Sequence, residues 1–365
     1  MTLYFYFASR FIRSFGVVAG AFTGILMMFA VAEQLRKFST TKAGFSDILG
    51  LSALQLPGAI YPILPLIIML ATVMMFLGMA RSSELVVGRA AGRSGLRFLI
   101  APVVVALMIG LLAIAAFNPI VAATSKQYET KASQYLNKQS SILSVSQEGL
   151  WLRQGSTDGQ TVIVARSSNL DGTNLLDVNF FAFSRGGSPL KRTMAASAEL
   201  VEGAWILKDA KVWPLHGSSN PERDAEIFDQ LRVESNLTRD QIRDSFGTPS
   251  SIAIWDLPAF INRLDKAGFS ARQHRVWLQS ELALPLLLVA MVLIGAGFTM
   301  RHTRMGSAGQ MVMGAILMGF TLFFIRNFAQ VLGENGQLPI YLASWSPPIA
   351  AILMAMALIL HLEDG

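Results

Sequence analysis

The residues of this chain able to do chemistry fall into two charged clusters. One is the stretch from Ala80 to Gly95, ARSSELVVGRAAGRSG, where Glu84 stands among Arg81, Arg89, Arg93 and Arg97 between two long apolar runs. Arginines alone would make a basic loop, so the acid needs a reason of its own. Ser82 as an N-cap would place Glu84 in the first turn of a short helix, where the dipole favours an anion. Leu85 and Val86 add an apolar contact beside it. Such a helix suits docking to another protein, with Glu84 meeting a partner's Arg or Lys; a plain loop is the competing reading. The other cluster is Arg36, Lys37 and Lys42, just past the first apolar run, with Arg326 in FFIRNF as a further cation. Cations at a membrane surface attract lipid phosphates through charge-assisted hydrogen bonds. The alternative is a solvated loop partly neutralised by Glu33 and Asp47, which contributes little. Arg326 then pairs with Glu281 or snorkels outward.

Other chemistries lack their residues. No G-x-x-x-x-G-K-[ST] loop occurs, and GRAAGRSG has neither the lysine nor the preceding strand that a phosphate loop requires. The histidines, His216, His274, His302 and His361, are scattered, without an H-E-x-x-H pair. There is no G-x-S-x-G elbow, and the absence of cysteine removes disulfides and thiolate metal sites. The expectation is a non-catalytic chain with no metal and no cofactor, one that does not hydrolyse ATP by itself.

The elements that must hold these clusters are membrane helices. The chain is 52% hydrophobic and 15% charged over 365 residues, too apolar for an ordinary soluble protein. Six runs reach the length of a spanning helix: 11–32, 56–80, 98–121, 277–300, 306–325 and 343–362. The first is longer than a signal-peptide core and lacks a cleavage site before EQLRK, so it reads as a retained helix. Arg10, Arg13, the four arginines around Glu84, Arg301 and Arg304 mark one side of the membrane. Arg36, Lys37, Lys42 and Arg326 are fewer, so the first group is placed in the cytoplasm, together with both termini. Segment 122–276 holds 18 Lys plus Arg against 17 Asp plus Glu, so the net +6 lies mainly with the apolar part. That charge speaks for topology and lipid contact, not nucleic acid.

That segment, on the outer side, reads as β-rich. SILSVSQEGLWLRQ, QTVIVARSS, LDVNFFAFS, LKRTMAASAELVEG and AWILKDAKVW are separated by GSTDG, NLDGTN and SRGGSP, the spacing of a sandwich, jelly roll or related sheet. Helical periodicity after Pro258 predicts a connector back to the membrane. Gly16, Gly20 and Gly24 form a stripe for close helix packing, in this chain or another. Pro57, Pro62 and Pro65 predict a kinked or late-starting second span, and Pro347 and Pro348 suit a helix's first turn.

RSSELVVGRAAGRSGLR, a span ending FNPIVAATSKQYE, then EGLWLR, a β-rich insertion and three spans containing LGENGQLPIYLASWSPP resemble the lipopolysaccharide-export permeases, the LptF/LptG (YjgP/YjgQ-like) family, over essentially the whole chain. EQLRK and RSSELVV are more similar to the LptG branch. The resemblance implies an α-helical membrane protein with six transmembrane helices and an inserted periplasmic β-jellyroll domain. Helices one to three and a cytoplasmic coupling loop, 80–97, fall in 1–121, the β domain in 122–265, and the connector with helices four to six in 266–365. It further implies a permease subunit that extracts lipopolysaccharide from the outer leaflet of the bacterial inner membrane and passes it to a periplasmic bridge. The implied partners are an LptF-like permease, two copies of an LptB-like ATPase and an LptC-like single-span protein. Glu84 matches the acid that engages the ATPase, with Arg81, Leu85, Val86 and Arg89 around it. Arg36 and Lys37 match basic positions near the lipid phosphates, with Lys42 or Arg326 as substitutes for a cation missing from MMFAVA. The rival expectations are a non-transporting assembly protein with a periplasmic β interaction domain and a membrane-embedded lipid enzyme.

Overall fold

Apolar runs of bilayer length become helices that extend well beyond the runs. The computed structural model describes the chain except residues 1, 40–42, 85–86, 88–94, 137–142, 147–148, 157–158, 169–171, 185, 218, 236, 238–248, 267–269, 301–307 and 364–365. The first span is one helix, α1 (Thr2–Lys37). The second is α2 (Phe45–Ile60), a 3-10 turn (Tyr61–Ile63) and α3 (Leu64–Arg81). The third is α4 (Gly95–Leu112), a π-helical segment (Ala113–Phe117) and α5 (Asn118–Leu136). Among the described residues, five continuous stretches are long and apolar enough to cross a membrane: Leu3–Lys37, Phe45–Arg81, Gly95–Ala132, Gly309–Glu334 and Ile340–His361. A sixth is made by the pair α7 (Arg272–Leu282) and α8 (Leu284–Thr299), bent by 49°. A short helix α6 (Leu257–Lys266) precedes that pair, and α9 (Ala308–Glu334) and α10 (Ile340–Glu363) follow it.

The prolines act as expected in one place and not in another. Pro62 lies in the 3-10 turn and Pro65 in the first turn of α3 directly after it, so the second span is broken there. It does not start late: Pro57 lies inside α2, and that helix opens at Phe45, where Asp47 accepts a hydrogen bond from the Gly44 N–H at 3.0 Å. Pro347 and Pro348 are not in a first turn but inside α10, which begins after Pro339. The turn before them is joined to α7 by side-chain hydrogen bonds. The Ser344 hydroxyl is hydrogen-bonded to Ser280 Oγ at 3.1 Å and to the Val276 carbonyl at 3.3 Å, and Trp345 Nε1 donates to Gln279 Oε1 at 3.0 Å.

The chain forms two compact units. Residues 1–137, 250–255 and 272–365 make the helical one; residues 138–249 and 256–271 make the other. The helical core packs Phe7, Phe11, Phe76, Phe98, Leu288 and Met291, all buried. Glycine permits the closest approaches: a Cβ on Gly110 of α4 would lie 2.6 Å from the Cα of Pro285 in α8. The stripe Gly16, Gly20 and Gly24 is different, for a Cβ there would meet nothing within 4 Å. Only 6% of the most apolar stretch of α1 is buried in this chain, against 67% for the second span and 22% for α9, so much of the apolar surface of α1 is left uncovered by this chain.

The second unit is an inserted antiparallel β domain, as its alternating sequence predicts. Seven strands, β1 (Leu143–Ser146), β2 (Gly149–Ser156), β3 (Gly159–Ser168), β4 (Asn174–Ser184), β5 (Pro189–Val201), β6 (Ala204–Pro214) and β7 (Glu226–Glu234), pair in chain order. In the described sheet each strand is hydrogen-bonded to the next in chain order. Residues two apart share a face, so Leu152, Ile163, Phe180 and Leu207 are buried together, and Trp205 meets Phe180 edge-on at 6.3 Å. At the β3 start Gly159 has φ 156°, and a Cβ would fall 2.0 Å from the Phe183 carbonyl oxygen, so only glycine fits. SILSVSQEGLWLRQ reads as one element but folds as the β1–β2 hairpin, and β7 escapes the sequence reading because charges occupy both of its faces, as suits an edge strand.

Candidate functional site

The helical unit carries three polar clusters, and the predicted residues are divided among them. Glu84, one turn past the end of α3, is gripped from three sides. Arg10 Nη1 of α1 lies 2.6 Å from both carboxylate oxygens, the Tyr6 hydroxyl donates to Oε2 at 2.9 Å, and the Ser82 hydroxyl donates to Oε1 at 2.6 Å. Tyr6 in turn accepts a hydrogen bond from Arg10, whose guanidinium lies 5.7 Å from the Tyr6 ring centroid. Partial burial pushes the Glu84 carboxyl up, but the hydrogen bonds from Ser82, Arg10 and Tyr6 outweigh it and hold the group below its ordinary value. Ser82 is the C-cap of α3 and not the expected N-cap, its hydroxyl also lying 3.1 Å from the Gly78 carbonyl. Arg81 is exposed at the end of α3. Leu85, Val86 and Arg89, like Arg93, lie outside the described residues.

At the other end of α1 a hydrogen-bonded chain holds one cation. Lys37 Nζ donates to the Tyr128 hydroxyl at 2.9 Å, Tyr128 donates to Gln34 Oε1 at 3.2 Å, and Gln34 Nε2 donates to Gln55 Oε1 at 2.6 Å. Gln34 is fully buried, so its amide is fixed by those partners. The Lys37 ammonium lies 5.2 Å from the Tyr128 ring centroid and 5.7 Å from that of Phe38, which packs with Leu51 and Ala132 beneath it. Arg36 is exposed. Among the described residues neither cation has a carboxylate within 4 Å, so Glu33 and Asp47 do not neutralise them through ion pairs. Lys42 lies outside the described residues.

Arg326 belongs to a third cluster. It sits on α9, half-buried, and interacts electrostatically with Glu281 and Tyr61 without an ion pair inside 4 Å. Glu281 is 1% exposed; it accepts hydrogen bonds from the Tyr61 hydroxyl and from Asn118 Nδ2, the latter at 3.3 Å. The candidates missed in the sequence are the partners of the predicted ones: Tyr6 and Arg10, Gln34 and Tyr128, Tyr61 and Asn118. Their signal is faint but present, since each is a polar side chain at an apolar helix's edge or interior. Among the described residues no group of His, Asp and Glu has the geometry to hold a metal.

Comparison with known proteins supplies the frame for these clusters. The chain is similar to the lipopolysaccharide export system permease protein LptG of Haemophilus influenzae, at 23% identity over 365 residues covering 96% of each chain. Residues 5–361, which include all three clusters, match the family described as lipopolysaccharide export system permease LptF/LptG. With the membrane helices and the inserted β domain in place, the match over nearly the whole length means that this chain belongs to the LptF/LptG family, the permeases of the lipopolysaccharide export system.

Proposed function

We propose that this permease is an LptG-like, non-catalytic half of an ABC transporter in the bacterial inner membrane. It takes lipopolysaccharide from the outer leaflet of that membrane and hands it to a periplasmic bridge, while a separate cytoplasmic ATPase, LptB-like and present in two copies, supplies the energy. An LptF-like permease completes the membrane part, and an LptC-like single-span protein associates with it. In this reading loop 80–97 is cytoplasmic and the β domain periplasmic. Arg36, Lys37, Lys42 and Arg326 recognise lipid phosphates; Glu84, Arg81, Leu85, Val86 and Arg89 meet the ATPase; and Gly16, Gly20 and Gly24 receive a helix of another subunit.

The observation that carries the reading is that both clusters touch one helix, α1. Its C-terminal end presents Arg36 and Lys37, with no ion-pairing carboxylate among the described residues, and its N-terminal segment grips Glu84 through Arg10 and Tyr6. A push on loop 80–97 reaches α1 directly through that contact. Charge-assisted contacts make the two cations apt for phosphate. The test is purification of the wild-type chain and its Glu84→Ala variant from native membranes, with mass spectrometry of what accompanies them and photo-crosslinking of lipopolysaccharide. Recovery of an ATPase and a second six-span permease with wild type, and loss of the ATPase in the variant, is expected. Arg36→Ala with Lys37→Ala should weaken the lipopolysaccharide crosslink. Recovery of neither partner with wild type would favour a non-transporting assembly protein.

A further inference from the structure

Spans two, three and four each contain a proline that interrupts their helix, and the interruptions meet at one buried node. Pro65, Pro119 and Pro285 have no N–H to give the carbonyl four residues earlier, on Tyr61, Ala115 and Glu281. The structure deviates at each place: a 3-10 turn from Tyr61 to Ile63, a π-helical segment from Ala113 to Phe117, and the 49° bend between α7 and α8. Tyr61 and Glu281 are hydrogen-bonded to each other through their side chains, and Asn118, directly after the π segment, donates to the same carboxylate oxygen. Tyr61, Asn118 and Glu281 are 5%, 2% and 1% exposed. The Tyr61 carbonyl takes the Leu64 N–H within the 3-10 turn; the Ala115 carbonyl accepts a hydrogen bond from the Trp255 indole at 3.2 Å, and the neighbouring Ile254 N–H donates to Asn118 Oδ1 at 3.0 Å. Residues 250–255 are therefore a strap latched onto the break of span three, although residues 249 and 256 on either side belong to the β-domain unit.

Broken helices persist inside a bilayer only where the freed backbone groups find other partners. The side-chain bonds from Tyr61 and Asn118 to Glu281 do something else, tying the three breaks to one another, and a buried carboxylate is an expensive way to do that, since apolar packing of similar volume is often as stable or more so. The cost points to a task beyond stability. We propose that Tyr61, Asn118 and Glu281 are positioning residues for export, a pivot that fixes the angles of the three broken spans and, through the Ile254 and Trp255 latch, passes their movement to the strap leading into the β domain. Spans two and three are the pair joined by loop 80–97, so movement imposed on that loop arrives at this node. The inference rests on the reading of the chain as a permease driven by a separate ATPase.

The test uses the complete transporter, with its partner permease and ATPase, in proteoliposomes containing lipopolysaccharide, and reads lipopolysaccharide exported per ATP hydrolysed beside the basal hydrolysis rate. Glu281→Leu and Tyr61→Phe should lower the export ratio about tenfold, and Trp255→Phe, at an exposed side chain, about threefold, in line with hydrogen bonds inside membrane bundles. Glu281→Gln keeps an acceptor for both donors and should stay within about twofold of wild type. Basal hydrolysis should change by less than about twofold throughout. Should Glu281→Leu not assemble, Trp255→Phe and Glu281→Gln decide alone. Unchanged lipopolysaccharide per ATP in the assembled variants, with losses only in yield or thermal stability, would overturn the pivot. A wild-type assembly that hydrolyses ATP without exporting would overturn it together with the permease reading.

Discussion

Glu84 and Glu281 are both carboxylates at the end of a membrane helix, yet their surroundings oppose each other. Glu84 keeps 33% of its side-chain surface and is matched by a full positive charge from Arg10. Glu281 is 1% exposed and is met by a hydroxyl and an amide, with Arg326 beyond ion-pair distance. A contact at the rim is cheap to make and break, because water replaces either partner. A contact in the interior is not, because a group that loses its partner there stays unsatisfied. The rim contact is thus the easier of the two to exchange, and the interior contact suits a fixed frame.

The contrast is broken most severely at Glu281. Glu281→Ala removes the acceptor of two buried donors and should cost about 3 kcal/mol, read as the shift in the unfolding midpoint of the detergent-solubilised chain. An unshifted midpoint would mean the node contributes no frame. Two glycines extend the comparison to packing. Gly110→Ala drives a Cβ against the backbone of Pro285, an overpacking expected to cost about 1–3 kcal/mol. Gly20→Ala meets open space and should stabilise the isolated chain by up to about 1 kcal/mol through helix propensity, while weakening pairing with another subunit in a co-purification assay. Equal effects at the two positions would remove the distinction.

The rim is sharpened by pH. The Glu84 carboxyl titrates below its unfolded value of about 4.3, so its contribution is fully present above that value and fades as pH falls through the lower folded one. Glu84→Gln should thus lower stability by no more than about 1 kcal/mol at neutral pH, with the difference from wild type shrinking as pH falls through the lowered folded value. A difference that grows with acid would contradict the assignment. The smallest effect is expected at Tyr128→Phe, which frees Lys37 and should weaken a lipopolysaccharide crosslink at Lys37 about twofold without altering the fold.

The amino-acid sequence by itself determines that this is a membrane protein with a β domain inserted between its third and fourth apolar runs, because hydrophobic length and alternation are local properties. It also exposes Glu84, Arg36, Lys37 and Arg326, since a charge beside an apolar run stands out by type alone. What surrounds those charges was settled only by tertiary structure. Arg10 meets Glu84 across 74 residues, Tyr128 meets Lys37 across 91 and Tyr61 meets Glu281 across 220. Such pairings depend on which helices lie side by side. The prolines show the same division: Pro62 and Pro65 announce a break from the sequence, whereas Pro347 and Pro348 remain inside α10. A proline removes its hydrogen bond wherever it stands, but whether the helix yields depends on what the neighbouring helices provide in exchange.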